Sequence, residues 1–272
     1  MQAFPTTPRA MYTGFCINRA LIMVLIKREV LGRYRGSIMG VLWSFFNPMC
    51  MLAVYTFVFA YVFKARWGTT EGSRAEFALI LFAGLIVFNF FAECVTRAPG
   101  LVLANANYVK RVIFPLEVLA WSNAGAALFH AGVSLLVWII FYCIGWGIPH
   151  WTIVLLPVVV LPLGMISMGF SWFLASLGVY LRDVSQIMGL VTTILMFMSP
   201  IFYPSTALPE RFRSVFLLNP LTPAVEQARE VLIFGRLPDW TVLGVYLIVG
   251  IVVMCLGFAW FQKTRRGFAD VV

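Results

Sequence analysis

The chain has 272 residues, of which 61% are hydrophobic and 11% charged, and carries a formal net charge of +9. A soluble domain carries about 25% charged residues, so this composition excludes an ordinary soluble globular protein and points to a membrane protein. The basic excess is deployed mostly at the ends of apolar runs, which reads as topology and contact with anionic lipid rather than as a nucleic-acid surface.

No small-residue cleavage site follows the short apolar run Ala20–Ile26, so residues 1–35 do not read as a secretory signal. Phe15–Leu31 is apolar around much of its circumference yet carries Arg19, Lys27, Arg28 and Glu29. That pattern predicts a helix lying in the membrane interface; an additional span is the alternative, opposed by Arg19 and the basic cluster. A spanning helix needs roughly 20 apolar residues. Ser37–Phe63 contains no Asp, Glu, Lys or Arg and gives the first span, near 37–63. Within it Tyr55, Phe59 and Phe63 recur every four residues and share one helix face, either as flat rings for sugars or as a packing and lipid-facing stripe. The second span, near 77–97, extends past Glu93, which can pair with Arg97 one turn on.

The loop 98–117 predicts a short amphipathic helix presenting Asn105, Asn107, Lys110 and Arg111, with Pro115 in the first turn of the third span. A basic anchor and a partner-docking element both fit it. Val118–Leu181 has no formal charge over 64 residues. As one helix it would be about 95 Å long, so it must fold back, and Gly145-Trp-Gly-Ile-Pro-His-Trp151 supplies the breakers. Spans three and four fall near 117–145 and 152–180. Arg182 and Asp183 then form a short turn before span five, near 185–204, with Asp183 placed to cap it. At mid-bilayer each charge would cost about 2.5–3.5 kcal/mol. The pair is a turn marker or part of a docking surface. In the loop 205–239, prolines punctuate two short helical patterns, Glu210–Leu218 and Thr222–Phe234, which predict helices dipping into the outer membrane surface ahead of the last span, 240–262.

These elements define an all-α membrane protein: a cytoplasmic segment 1–36 with an amphipathic interface helix, a six-span domain 37–262 with re-entrant helices before the last span, and a cytoplasmic tail 263–272. The segments on the side of the termini hold 13 Lys/Arg against 7 on the other side, which places both termini in the cytoplasm. Of the intramembrane polar residues Asn89, Glu93, Asn123 and His130, none is arranged with another as a nucleophile–base pair or metal site, and His130 is expected to bond helix to helix. Neither catalytic nor metal-ligating residues are expected. The five cysteines lie in spans or on the cytoplasmic side, without a Cys-x-x-Cys pair. No Gly-x4-Gly-Lys-Ser/Thr loop occurs, so energy for uphill transport would come from another subunit.

Leu31-Gly-Arg-Tyr-Arg-Gly-Ser-Ile-Met-Gly-Val-Leu-Trp-Ser-Phe-Phe-Asn-Pro48 resembles the entry to the first span of polysaccharide-exporting ABC transporter permeases. The similarity continues through Val109-Lys-Arg-Val-Ile-Phe-Pro-Leu-Glu-Val-Leu119, Val179-Tyr-Leu-Arg-Asp-Val184, Met198-Ser-Pro-Ile-Phe-Tyr-Pro204 and Asn219-Pro-Leu-Thr-Pro223. Ala120-Trp121 departs from the proline often found in relatives. The resemblance implies the permease of a type-2 ABC exporter in the bacterial inner membrane. It implies a homodimer working with two copies of a separate ATPase that holds ATP and Mg, so that this chain has no cofactor of its own. The implied cargo is a polyprenyl-pyrophosphate-linked polysaccharide. A drug or small-lipid exporter, and a membrane-embedded enzyme of glycan or lipid assembly, are the alternatives. On this reading Arg28, Arg33 and Arg35 either meet the pyrophosphate or serve as ordinary topological anchors, and Tyr55, Phe59 and Phe63 line the sugar path. Asn105, Asn107, Tyr108, Lys110, Arg111, Arg182 and Asp183 couple to the ATPase. Beyond these partners only membrane lipids are expected, and no nucleic acid.

Overall fold

The computed structural model describes residues 5–62, 74–109, 114–204, 216 and 219–271, and every regular element among them is helical. Among the described residues, five helices are long and apolar enough to cross a bilayer.

The amino-terminal segment forms two helices, not one. In α1 (Pro8–Ile17) Thr7 accepts the Ala10 N–H through its hydroxyl, and Pro8 takes the first turn, where no N–H is needed. At Asn18 the chain bends by 72° into α2 (Arg19–Arg33). The bend lets α2 pack lengthwise on a later helix, α6 (Val118–Trp146). Ile22 and Leu25 form a small core with Val118, Ile26 touches Gly125, and Arg33 reaches His130, so the pairings advance together along both helices. The predicted interface helix is thus half of a bent pair fastened to the bundle.

The first span, Gly40–Phe59, contains α3 (Trp43–Tyr55), whose end widens into a π-helix over Thr56–Val62. The second, α4 (Arg74–Arg97), is the central post: its apolar window is 83% buried, against 17–44% for the other four spans. Lipid gives helices no hydrophobic reason to associate, so packing and interhelical hydrogen bonds must hold them, the bonds at roughly 0.6–2 kcal/mol each. Side chains from other helices accordingly seek main-chain carbonyls of α4. Trp138 Nε1 donates to Leu79 at 3.0 Å and Asn123 Nδ2 to Cys94 at 2.9 Å.

A short helix α5 (Ala106–Val109) precedes α6. Pro115 lies in the turn before α6 rather than in its first turn, because its carbonyl accepts the Val118 N–H. Helix α6 ends at Trp146 on Gly147, whose φ of 86° suits glycine alone, and a 3-10 turn (Trp151–Leu155) leads into α7 (Leu156–Tyr180). The fold-back expected from Gly145–Trp151 is therefore present.

The expected fifth span is shorter than 185–204. Helix α8 (Val184–Phe197) has 14 residues and gives way to turns through Tyr203. Ser199 precedes Pro200 and is steered away from helix, and Asn219 Nδ2 donates to the Met198 carbonyl at 3.1 Å and to Ser199 Oγ at 2.9 Å, which satisfies the end of the helix. Helix α9 (Leu221–Leu232) realises the predicted Thr222–Phe234 pattern, whereas Glu210–Leu218 lies outside the described residues apart from Phe216. Helix α9 does not rest on a surface. Leu221, Val225, Ala228 and Val231 are buried, and Arg229, 3% exposed, donates from Nε to Ile80 O, from Nη1 to Pro200 O and from Nη2 to Ile201 O. One guanidinium thereby ties α4, the turn after α8, and α9 together.

The last span, α10 (Trp240–Thr264), starts at Asp239, whose carboxylate accepts the Thr241 and Val242 N–H groups. It crosses α7 where Gly257 meets the main chain of Gly169, an approach that leaves no room for a Cβ. The tail is packed rather than loose. Phe268, in the short helix α11 (Phe268–Val271), is fully buried, and Arg265 pairs with Glu117 at 2.7 Å.

Candidate functional site

A cavity of about 380 Å³ opens between α3, α4 and α6, with the end of α2 at its mouth. Helix α4 contributes Phe82, Ile86, Asn89, Glu93 and Thr96, one residue every three or four, which is a single face of the helix. The length of α4 from Phe82 to Thr96 is about 21 Å at 1.5 Å per residue, two thirds of a hydrocarbon core of about 30 Å. From α3 come Ser44, Asn47, Met51 and Tyr55, from α6 His130 and Ser134, and from the end of α2 Arg33 and Tyr34. The groove grades from charged near the ends of α2 and α4, through carboxamides, to aromatic and aliphatic walls.

Its charged end is a network. The Glu93 carboxylate lies 3.0 Å from Arg33 Nη1, 3.0 Å from His130 Nδ1 and 3.5 Å from Arg97 Nη1. Arg97 Nη2 reaches Glu29 at 3.1 Å, and Glu29 is 3.5 Å from Arg28. Arg28 donates to Tyr108 Oη at 2.7 Å and to Asn105 Oδ1 at 3.0 Å, with its guanidinium 5.6 Å from the centre of the Tyr108 ring. Three guanidiniums against two carboxylates leave one positive charge in excess, so the mouth of the groove favours an anion. His130 Nδ1 also lies 3.0 Å from Arg33 Nη1. One nitrogen cannot accept from Arg33 while donating to Glu93, but in the Nδ1–H tautomer His130 donates to Glu93 and leaves Nε2, 3.4 Å from Arg33 Nη1, as the acceptor.

The residues singled out in the sequence distribute as follows. Arg28, Arg33 and Arg35 do not converge: Arg28 belongs to the α5 contact, Arg33 to the groove, and Arg35 is exposed with no ion pair among the described residues. Tyr55 lines the groove, and Phe59, its ring centre 6.5 Å from that of Tyr55, packs on Phe77 at 5.7 Å and Phe202 at 5.9 Å, where the backbone has become a π-helix. Phe63, Lys110 and Arg111 lie outside the described residues. Asn105 and Tyr108 meet Arg28, and Asn107 is exposed beside them. Arg182 and Asp183 are both exposed in the turn before α8. Asp183 occupies the N-cap position, but its backbone is helical (φ −70°, ψ −15°) and its side chain makes no capping bond, which corrects the expected cap. His130 and Glu93 bond helix to helix as expected, and Glu93 also pairs with Arg97.

Sequence reading missed Asn47 and Arg229. Asn47 lies in the stretch Phe-Phe-Asn-Pro48, where a lone carboxamide among apolar residues at the start of a span is the signal. Arg229 follows buried Val225 by one helical turn, so a cation on the flank of an apolar stripe was the available signal.

Comparison with known proteins supplies the remaining finding. The profile of the ABC-2 type transporter family matches residues 20–233. The chain is 29% identical to the O-antigen export system permease protein RfbA of Myxococcus xanthus, over 93% of this chain and 96% of that protein. It is 26% identical to RfbA of Klebsiella pneumoniae, covering 93% and 95%, and 23% identical to the polysialic acid transport protein KpsM of Escherichia coli, covering 93% and 96%.

Proposed function

The chain belongs to the ABC-2 type transporter family, and from that premise we propose that it is the membrane-spanning subunit of an exporter of lipid-linked polysaccharide. The observation that carries this reading is likeness along nearly the whole chain to relatives named for export of different polysaccharides, O-antigen and polysialic acid. A groove running two thirds of the way along a buried span, positive at its mouth, fits a cargo with an anionic end and a polar body.

In this proposal the chain sits in a bacterial inner membrane with both termini in the cytoplasm, a reading supported by the asymmetry of basic residues. Two copies pair, and two copies of a separate ATPase, which binds ATP and Mg, act on them from the cytoplasm. Arg33 and His130 at the groove, with Arg35 exposed nearby, receive the pyrophosphate of the lipid carrier; a guanidinium suits it because it donates two parallel hydrogen bonds. Tyr55 offers its ring to the sugars. Asn105, Asn107 and Tyr108, with Lys110 and Arg111 following, form the ATPase contact, and Arg182 and Asp183 add to it. The hydrogen bonds from Arg28 to Asn105 and Tyr108 connect that contact through Glu29 and Arg97 to Glu93, so a displacement of α5 reaches the groove along a continuous set of ion pairs.

The test is genetic and chemical together. In cells from which the gene is deleted, surface polysaccharide should disappear and lipid-linked polymer should accumulate inside, and the chain expressed with its ATPase should reverse both. Undiminished surface polysaccharide in the deletion strain would sink the proposal.

A further inference from the structure

Helix α4 is buried from Phe77 to Phe91 with one exception, Asn89, which is exposed and faces the groove. Across the groove, α3 presents Asn47, also exposed. Neither carboxamide has a hydrogen-bond partner among the described residues. Of the other polar groups of the groove, Ser134 donates to the His130 carbonyl, Ser44 to Val41 and Thr96 to Ala92, and Arg33, Glu93 and His130 bond one another, while the Tyr34 and Tyr55 hydroxyls make no hydrogen bond among the described residues. Two neutral groups with donors and acceptors both available therefore open into a cavity at the depth of the spans. A polar group there is costly unless something bonds it. An acyl chain cannot, and an anion would use only the N–H half of each amide. A hydroxyl, which donates and accepts at once, uses both halves.

The spacing adds to the chemistry. Asn89 precedes Glu93 by one helical turn, about 6 Å further from the charged mouth, with Asn47 opposite and Tyr55 beyond. From the mouth inward the groove thus meets an anionic group first, then hydroxyls, then an apolar ring face. Resting on the polysaccharide reading above, we propose that Asn47 and Asn89 form a hydroxyl-recognising site for the sugar adjoining the anionic group of the cargo, and so help to determine which glycan enters.

Asn→Leu keeps the branched shape and the number of side-chain heavy atoms while removing donors and acceptors, and Asn→Gln keeps both donors and acceptors. The full chain and its ATPase are expressed in the deletion strain, and the strain's own surface polysaccharide is measured by sugar analysis per assembled transporter. N47L/N89L should lower export roughly tenfold or more, with intracellular lipid-linked polymer rising and copurification with the ATPase unchanged, and N47Q/N89Q should recover most of the export. Asn123→Leu is the structural control. It breaks the bond to Cys94, so it should reduce the amount of protein rather than export per molecule. Export by N47L/N89L within twofold of wild type would mean that the groove holds only water at these amides, and would overturn the site while leaving the exporter reading intact. A wild-type gene on which surface polysaccharide does not depend would instead overturn the exporter reading itself.

Discussion

Replacing Arg229 with Met keeps an unbranched side chain of similar length and removes the guanidinium. Three bonds to main-chain carbonyls are lost, at Ile80, Pro200 and Ile201. Hydrogen bonds to charged groups are worth about 1.5–3 kcal/mol each, so the gross loss is about 4.5–9 kcal/mol. Against it stands relief from burying a charge that is 3% exposed, which offsets several kcal/mol. The net destabilisation is about 2–4 kcal/mol, roughly a 5–15 °C fall in apparent Tm at 2–4 °C per kcal/mol. Loss of the monodisperse peak on heating in detergent, at one fixed scan rate, measures it. A cycle with Gly84 sharpens the test. A Cβ at Gly84 would lie 2.8 Å from Arg229 Nη2 and 3.2 Å from Val225 Cγ1, so Gly84→Ala should be costly beside Arg229 and cheaper beside the flexible Met. A Tm for R229M within 1 °C of wild type, or strictly additive losses in the double variant, would show that the guanidinium does not clamp the three segments.

The two aspartates at helix starts should behave oppositely: Asp239→Ala, which removes a cap bonding Thr241 and Val242, should cost about 1 kcal/mol, while Asp183→Ala should stay within about 0.5 kcal/mol in the same thermal assay. Within α10, Gly257→Ala forces a methyl against the Gly169 main chain and should cost 1–3 kcal/mol or more, whereas Gly244→Ala, with nothing within 4 Å, should be neutral or gain up to about 1 kcal/mol. For topology, cysteines placed at Ile148 and Ser185, both exposed, should respectively react and fail to react with an impermeant thiol reagent added outside cells expressing a cysteine-free background. External labelling at Ser185 would invert the assignment of the termini.

The spans and the fold-back at Gly145–Trp151 were legible because charge-free runs and helix breakers are local properties of the chain. So was the pairing of Glu93 with Arg97, one turn apart on one helix. The shortening of α8 was not, since apolarity continues to Phe202 and the groups that end the helix, Asn219 and Pro200, act through capping and backbone sterics that hydropathy ignores. Arg229 was obscure for a related reason: its partners are carbonyls, which every residue has, so no sequence pattern marks them. The basic cluster at the α2 end is visible in the sequence, but the division of Arg28 and Arg33 between α5 and the groove depends on partners 60 to 97 positions away in the chain. Of the aromatic stripe, Tyr55 and Phe59 stay neighbours, with ring centres 6.5 Å apart, but which of them lines the groove depends on the contacts of Phe59 with Phe77 and Phe202, residues distant in the chain.

The brevity of α8 bears on the lipid as well as on the protein. Fourteen residues are about 21 Å, some 9 Å less than the hydrocarbon core around them. Hydrophobic mismatch of this size is met by thinning of the adjoining leaflet and by polar turn groups drawn below the headgroup plane. Where α8 faces lipid, the membrane beside it is locally a thinner dielectric barrier than the bulk bilayer, on the face where the chain after Phe197 turns back. A polar headgroup crossing next to α8 has a shorter stretch of oil to traverse, and a bilayer built from longer acyl chains should restore the barrier and slow the crossing.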